Sequence, residues 1–172
     1  LGRRSFRETI KVVYDPGLEY LWIDSLCIVQ DNLGDWRREG SRMASIYLSS
    51  YLTISAASPH DSSVGLFPVT SAQKHLPLLT HAWVFQEMIL APRVMLFTVD
   101  EIVWLCMSQS KCGCDKDLRK SIFGKHSHLN QQGFPKTRWH DLIDQYTKRS
   151  PTHEKDIFPA LSGLAHLFAS RN

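Results

Sequence analysis

The pattern of residues 20–56 constrains this chain most. Tyr20-Leu21-Trp22-Ile23 is a short, nearly continuous apolar run of aromatic and branched residues, and Asp24-Ser25 closes it with a polar step. Such a run predicts a buried strand and its exit. From about Asp35 to Tyr47 the apolar residues recur at helical spacing, with Asn32 or Asp35 available as N-cap. Tyr51-Leu52-Thr53-Ile54-Ser55-Ala56 then reads as a second strand. Strand, helix and strand at this spacing predict a βαβ unit, whose crossover makes the two strands parallel and right-handed. The fold class that follows is α/β.

Around this unit the elements are shorter. Ser5-Phe6-Arg7-Glu8 fits a capping box, and Phe6, Ile10 and Val13 continue at helical spacing, so a helix is expected over about residues 6–14, ended by Pro16-Gly17. Residues 58–80 carry Pro59, Gly65, Pro68 and Pro77 and read as a loop. Trp83 to Met88 predicts a helix stopping near Pro92. Val94-Met95-Leu96-Phe97 and Ile102-Val103-Trp104-Leu105 then predict an antiparallel hairpin. Residues 109–137 are polar and glycine-containing, an irregular excursion. Two helices close the chain, one marked by Trp139, Leu142, Ile143 and Tyr146, the other by Leu161, Leu164 and Phe168 and starting near Pro159. The expected division is a core over 1–108 with the 58–80 loop inside it, the excursion over 109–137, and a helical extension over 138–172.

Composition narrows the function classes. The 172 residues are 43% hydrophobic, enough for one core, and the net charge of +3 comes from basic residues scattered among acidic ones, as in Trp36-Arg37-Arg38-Glu39. That is no nucleic-acid stripe. No apolar stretch approaches the ~20 residues of a bilayer span, and Leu1-Gly2-Arg3-Arg4 lacks a signal-peptide core; a cytoplasmic protein is the default expectation. No Walker loop, dinucleotide-type glycine turn or zinc-protease motif occurs, which argues against an ATPase, a Rossmann dehydrogenase and a metallopeptidase. Cys106, Cys112 and Cys114 with His126 or His128 do not have the spacing of paired zinc knuckles, so no metal site is assigned. Cys27, between Leu26 and Ile28, reads as a small buried hydrophobe and not as an activated thiolate.

Glu39 is the residue with the clearest chemical signal. On a helical wheel Trp36, Gly40, Met43, Ile46 and Tyr47 form one apolar arc, and Glu39 falls inside it. A carboxylate facing the core is expensive unless paired, and burial moves it toward acid–base work. The competing reading places Glu39 in a first turn, favouring the helix dipole and reaching an arginine. Asp24 and Ser25 stand at the carboxyl end of the expected parallel strand, where open α/β sheets place their ligand crevice; alternatively Asp24 caps the next turn. Gln86 and Glu87 either line that crevice or belong to a capped helix with a solvated acid. Arg93, after Pro92, either receives a phosphate or pairs with Glu87 at the surface.

Three segments resemble the heterokaryon-incompatibility (HET) domain of filamentous fungi. They are Tyr20-Leu21-Trp22-Ile23-Asp24-Ser25-Leu26-Cys27-Ile28-Val29-Gln30-Asp31 with Asp35-Trp36 to Met43 and Ile46-Tyr47; Ala82-Trp83-Val84-Phe85-Gln86-Glu87 through Pro92-Arg93 to Phe97; and the tail containing Leu161-Ser162-Gly163-Leu164-Ala165. The family's opening strand, ending in a Leu-Ser-Tyr-x-Trp-Gly type segment, has no counterpart ahead of the first helix, and His81 stands where an Arg is usual, so a domain incomplete at its N-terminus is expected.

The resemblance implies an effector of self/non-self recognition that promotes programmed cell death. HET domains are in turn similar to TIR domains, which implies a partial TIR/flavodoxin-like parallel sheet with a βαβ unit, followed by a hairpin and C-terminal helices. Some TIR domains cleave NAD with a helical glutamate, which Glu39 matches in its Trp-x-x-Glu stretch. On that basis Glu39 is the expected catalytic residue, Asp24, Ser25, Gln86 and Arg93 are the expected substrate contacts, and NAD enters as substrate with no resident cofactor. The alternative is a signalling adaptor that assembles with itself or with a nucleotide-regulated receptor, or an inactive truncated relative.

Overall fold

The computed structural model describes residues 4–56, 65–66, 81–98, 101–106, 110–111, 136–150 and 154–170. In chain order they form α1 (Arg4–Tyr14), the single turn α2 (Asp24–Cys27), α3 (Leu33–Ser49), β1 (Thr53–Ala56), α4 (Ala82–Leu90), β2 (Arg93–Phe97), β3 (Ile102–Cys106), β4 (Ser110–Lys111), α5 (Lys136–Thr147) and, after a 3-10 turn at Glu154–Asp156, α6 (Ile157–Ser170).

The composition of α4 dictates the layering. Its sequence Ala-Trp-Val-Phe-Gln-Glu-Met-Ile-Leu is apolar around most of its circumference, and such a helix is stable only when covered from more than one side. Val84 and Met88 pack on the sheet with Ala91, Val94, Leu96, Val103 and Leu105. Ala82, Phe85 and Leu90 point the other way, into a cluster with Leu142 and Tyr146 of α5 and Ala160 and Leu164 of α6, and Ala44 and Tyr47 of α3 pack against it. Each such buried side chain contributes about 1.5–3 kcal/mol. The sheet thus lies on one side of α4 and the helices on the other.

The strands run in the order β1-β2-β3-β4. β1 is parallel to β2, with Thr53 opposite Val94 and Ala56 opposite Phe97, and β2 and β3 form the expected antiparallel hairpin, with Val94 opposite Leu105. β4 adds a two-residue antiparallel edge at Ser110–Lys111, inside the stretch expected to be irregular. The rest of that stretch, and the 58–80 loop apart from Gly65 and Leu66, lie outside the described residues.

A βαβ unit is present, one step later in the chain than the spacing predicts: α4 lies between the parallel strands β1 and β2. Tyr20–Ile23 is not a strand. The run is extended as far as Ile23 (φ −132, ψ 121), but Tyr20 is 89% exposed and Trp22 meets the Tyr47 ring edge-on at 5.8 Å. Its aromatic side chains serve a contact with α3 and not a ladder, a choice an apolar run of four cannot reveal.

The helices follow their local signals closely. The Asn32 side chain accepts from Asp35 N at 3.0 Å, capping α3 as expected. α1 stops at Pro16 and Gly17, where φ is +77, with Gly17 N bonded to Tyr14 O and Leu18 N to Val13 O. Ser5 lies inside α1, not at its cap, and the Glu8 carboxylate instead accepts from Arg4 Nε (2.7 Å) and from the backbone N of Leu66 (2.6 Å). The close packing of α6 depends on Gly163. A Cβ built there would stand 2.3 Å from the Ala44 Cβ of α3 and 3.1 Å from Gln86 Nε2 of α4, so only glycine lets the three helix backbones approach this far. No described helix is long and apolar enough to cross a membrane.

Candidate functional site

α3 and α4 are held together at two levels. Near their N-termini the Trp36 and Trp83 rings meet edge-on, with centroids 6.3 Å apart, and both rings are partly buried. Further along, Tyr47 on α3 reaches Glu87 on α4, and Trp22 packs on Tyr47 from the extended segment that leads into α2. Two residues after Trp22, the α2 turn presents Asp24. Its charge is felt by both the Tyr47 phenol and the Glu87 carboxyl.

Electrostatics at this junction are strongly perturbed. Burial pushes the Glu87 carboxyl from the usual carboxylate range up to about 7, the Asp24 charge pushes it the same way, and the hydrogen bond from Tyr47 opposes them. Burial also raises the ionisation of the Tyr47 phenol far above its ordinary range, helped by Glu87 and then Asp24. Tyr47 therefore stays an O–H donor at any pH of interest. Glu87 changes protonation state near neutrality, while Asp24 is exposed and sits in its own turn, with its Oδ1 accepting from Ser25 N at 2.6 Å and its carbonyl accepting from Ile28 N and Gln30 Nε2. Glu87 is thus a carboxyl that can exchange a proton near neutrality.

Glu39 faces inward, as its wheel position predicts, with 8% of its surface exposed. Its charge is met by two arginines: Arg38 Nε donates to Oε1 at 3.2 Å and Arg42 Nη1 at 3.1 Å, and both guanidinium groups remain largely exposed. Arg38 also pairs with Asp35. Glu39 is thus buried and arginine-paired, but α3 begins at Leu33 and its first-turn acid is Asp35, so Glu39 does not occupy the first turn of the competing reading.

The remaining expected contacts are dispersed. Ser25 is exposed in the α2 turn beside Asp24. Gln86 is 1% exposed, wedged against Gly163, and its Oε1 has no hydrogen-bond partner among the described residues. Arg93 is exposed, donates to the Tyr51 carbonyl at 3.0 Å and lies 4.9 Å over the Tyr51 ring, so it serves the β1 end. Because Tyr20–Ile23 is not a strand, Asp24 and Ser25 do not mark a strand's carboxyl end, and Asp24 joins the site through α2 instead. Cys27 is exposed, against the expectation of a buried thiol; α2 is a single turn whose four residues are all outside the core. Among the described residues no group of three or more His, Cys, Asp or Glu is placed to hold a metal.

Sequence reasoning underrated Glu87 and assigned Tyr47 only to packing. Both carried a signal. Glu87 interrupts a helix that is apolar on nearly every side, which leaves its carboxyl little water, and Tyr47 shares the inward arc of Glu39.

Residues 2–79 match the family described as Heterokaryon incompatibility protein (HET). The match covers the first of the three resembling segments and ends before Trp83. No curated protein and no solved structure matches the chain.

Proposed function

We propose, from the match of residues 2–79 to the heterokaryon incompatibility family, that the chain acts as an effector of self/non-self recognition that promotes programmed cell death by hydrolysing NAD. The observation that carries the chemical part is Glu39, a carboxylate buried to 8% exposure on the inward face of α3 and flanked by Arg38 and Arg42. Departure of nicotinamide leaves an oxocarbenium-like ribose, and a fixed negative charge stabilises it at no cost of reorganisation. The exposed arginine heads give the diphosphate a place to dock. The similarity of HET domains to TIR domains, some of which cleave NAD, motivates this reading by analogy alone.

Its test is nicotinamide release from NAD by the purified protein, with and without a family-type N-terminal strand added upstream. Release that falls at least about 100-fold in Glu39→Gln supports the reading. Release unaffected by that change, or absent from every form, defeats it.

A second reading, the adaptor, is favoured by one feature. Tyr20 (89% exposed), Leu26, Val29 and Leu33 place large apolar side chains in water within one short stretch, and clustered exposure of that kind marks surfaces that bind other proteins. Death that persists in Glu39→Gln but is suppressed by polar substitutions at Leu26 and Val29 selects it.

A further inference from the structure

Exposed apolar side chains are not spread evenly over the described residues. Seven of the eleven large ones lie within residues 10–33, and concentration of that kind marks a surface that meets another protein. Charge divides this stretch into two halves. α1 buries Val13, while Arg7, Ile10, Lys11 and Tyr14 recur at i, i+3, i+4 and i+7, which puts two cations, a branched side chain and a phenol on one exposed stripe. Residues 15–35, by contrast, contain five acids and no lysine or arginine. Glu19, Asp24 and Asp31 are exposed there among the equally exposed Tyr20, Leu26, Val29 and Leu33.

Neither half is neutralised among the described residues. Arg4 pairs with Glu8 and Asp35 with Arg38, whereas Arg7, Lys11, Glu19 and Asp31 form no ion pair there. The two halves make no ion pair with each other, so their complementarity is available to a second copy of the chain. We propose that the α1 stripe of one copy docks on the acidic, apolar stretch 19–33 of another. This deepens the adaptor reading, on whose apolar surface it rests, by naming the partner. Tyr14 and Tyr20 supply rigid aromatic contact area, and the unlike charges around them fix orientation and speed the encounter. A reciprocal contact closes a dimer; a one-way contact repeats into longer assemblies.

Other occupants fit less well. A nucleic acid or an anionic lipid surface would engage α1 but be repelled by the acids of residues 15–35, and a strongly basic partner would be repelled by Arg7 and Lys11. A second copy satisfies both halves at once.

Sedimentation of the purified chain tests this. At low salt its mass should rise with concentration from the 19.7 kDa monomer to at least a dimer. Association should weaken about tenfold or more between roughly 0.01 M and 0.15 M salt, across which the Debye length shrinks from about 30 Å to about 8 Å. Arg7→Glu with Lys11→Glu, and separately Glu19→Lys with Asp31→Lys, should each leave a monomer that melts as wild type does. Mixing the two variants should restore association, and Leu26→Ser in both should abolish that recovery, which separates docking from attraction between opposite net charges. A wild-type chain that is monomeric at every salt, reversals without effect, a mixture that stays monomeric, or a recovery indifferent to Leu26→Ser overturns the proposal. The adaptor reading fails separately, when polar substitutions at Leu26 and Val29 leave death unchanged; death suppressed by them in a chain that is monomeric throughout keeps that reading and overturns this one.

Discussion

The Tyr47 hydroxyl on α3 donates a hydrogen bond to the Glu87 carboxyl on α4, and the same carboxyl feels the charge of Asp24 at α2. Two consecutive elements and one much later in the chain are thereby linked through one titratable proton.

That proton makes stability depend on pH. Glu87 has its ionisation raised by folding from 4.5 to about 7, so between these values the folded chain binds more protons than the unfolded one. Stability from this group is full below about pH 4.5 and is lost as pH rises through about 7, by up to about 3 kcal/mol. Glu87→Gln should remove this slope and leave the variant more stable than wild type at pH 8. Urea denaturation at several pH values checks it; parallel curves for the two proteins would contradict it.

Removing the Tyr47 hydroxyl should move Glu87 further. The hydrogen bond is the one cause that lowers its ionisation, so Tyr47→Phe should raise the Glu87 midpoint above about 7. Carboxyl-carbon NMR titration reads the midpoint directly. A fall, or no change, would show that the bond does not favour the charged form.

Gly163→Ala tests the close approach of α6. The added methyl would meet the Ala44 Cβ at 2.3 Å, a backbone-anchored neighbour that cannot swing aside, and about 1–3 kcal/mol of destabilisation is expected. Thermal melting decides; an unchanged Tm would mean that the helices pack less tightly than described.

Trp83 joins α4 to the Trp36 ring of α3 and to the helical cluster. Trp83→Ala should cost about 3 kcal/mol in chemical denaturation, and a loss below about 1 kcal/mol would contradict its place there.

The fold was legible wherever a local signal decides the element. Asn32 capped α3, Pro16-Gly17 ended α1, and the two runs after Pro92 paired as a hairpin with the sheet side buried. What failed was Tyr20–Ile23, because an apolar run of four fits a strand and an aromatic brace equally well, and tertiary contact with Tyr47 chose the brace. The site was legible in part. Glu39 could be placed inward from periodicity alone, whereas the meeting of Asp24, Tyr47 and Glu87 depends on how α3 crosses α4, which no single stretch of sequence encodes.

The central claim, that killing is chemistry at a buried carboxylate, is tested most directly by survival of a fungal host on induced expression. The chain preceded by a family-type first strand should be toxic, and Glu39→Gln, which keeps size and hydrogen-bonding shape but not charge, should abolish the toxicity while remaining folded. If Glu39→Gln kills as fast as wild type, the claim is contradicted.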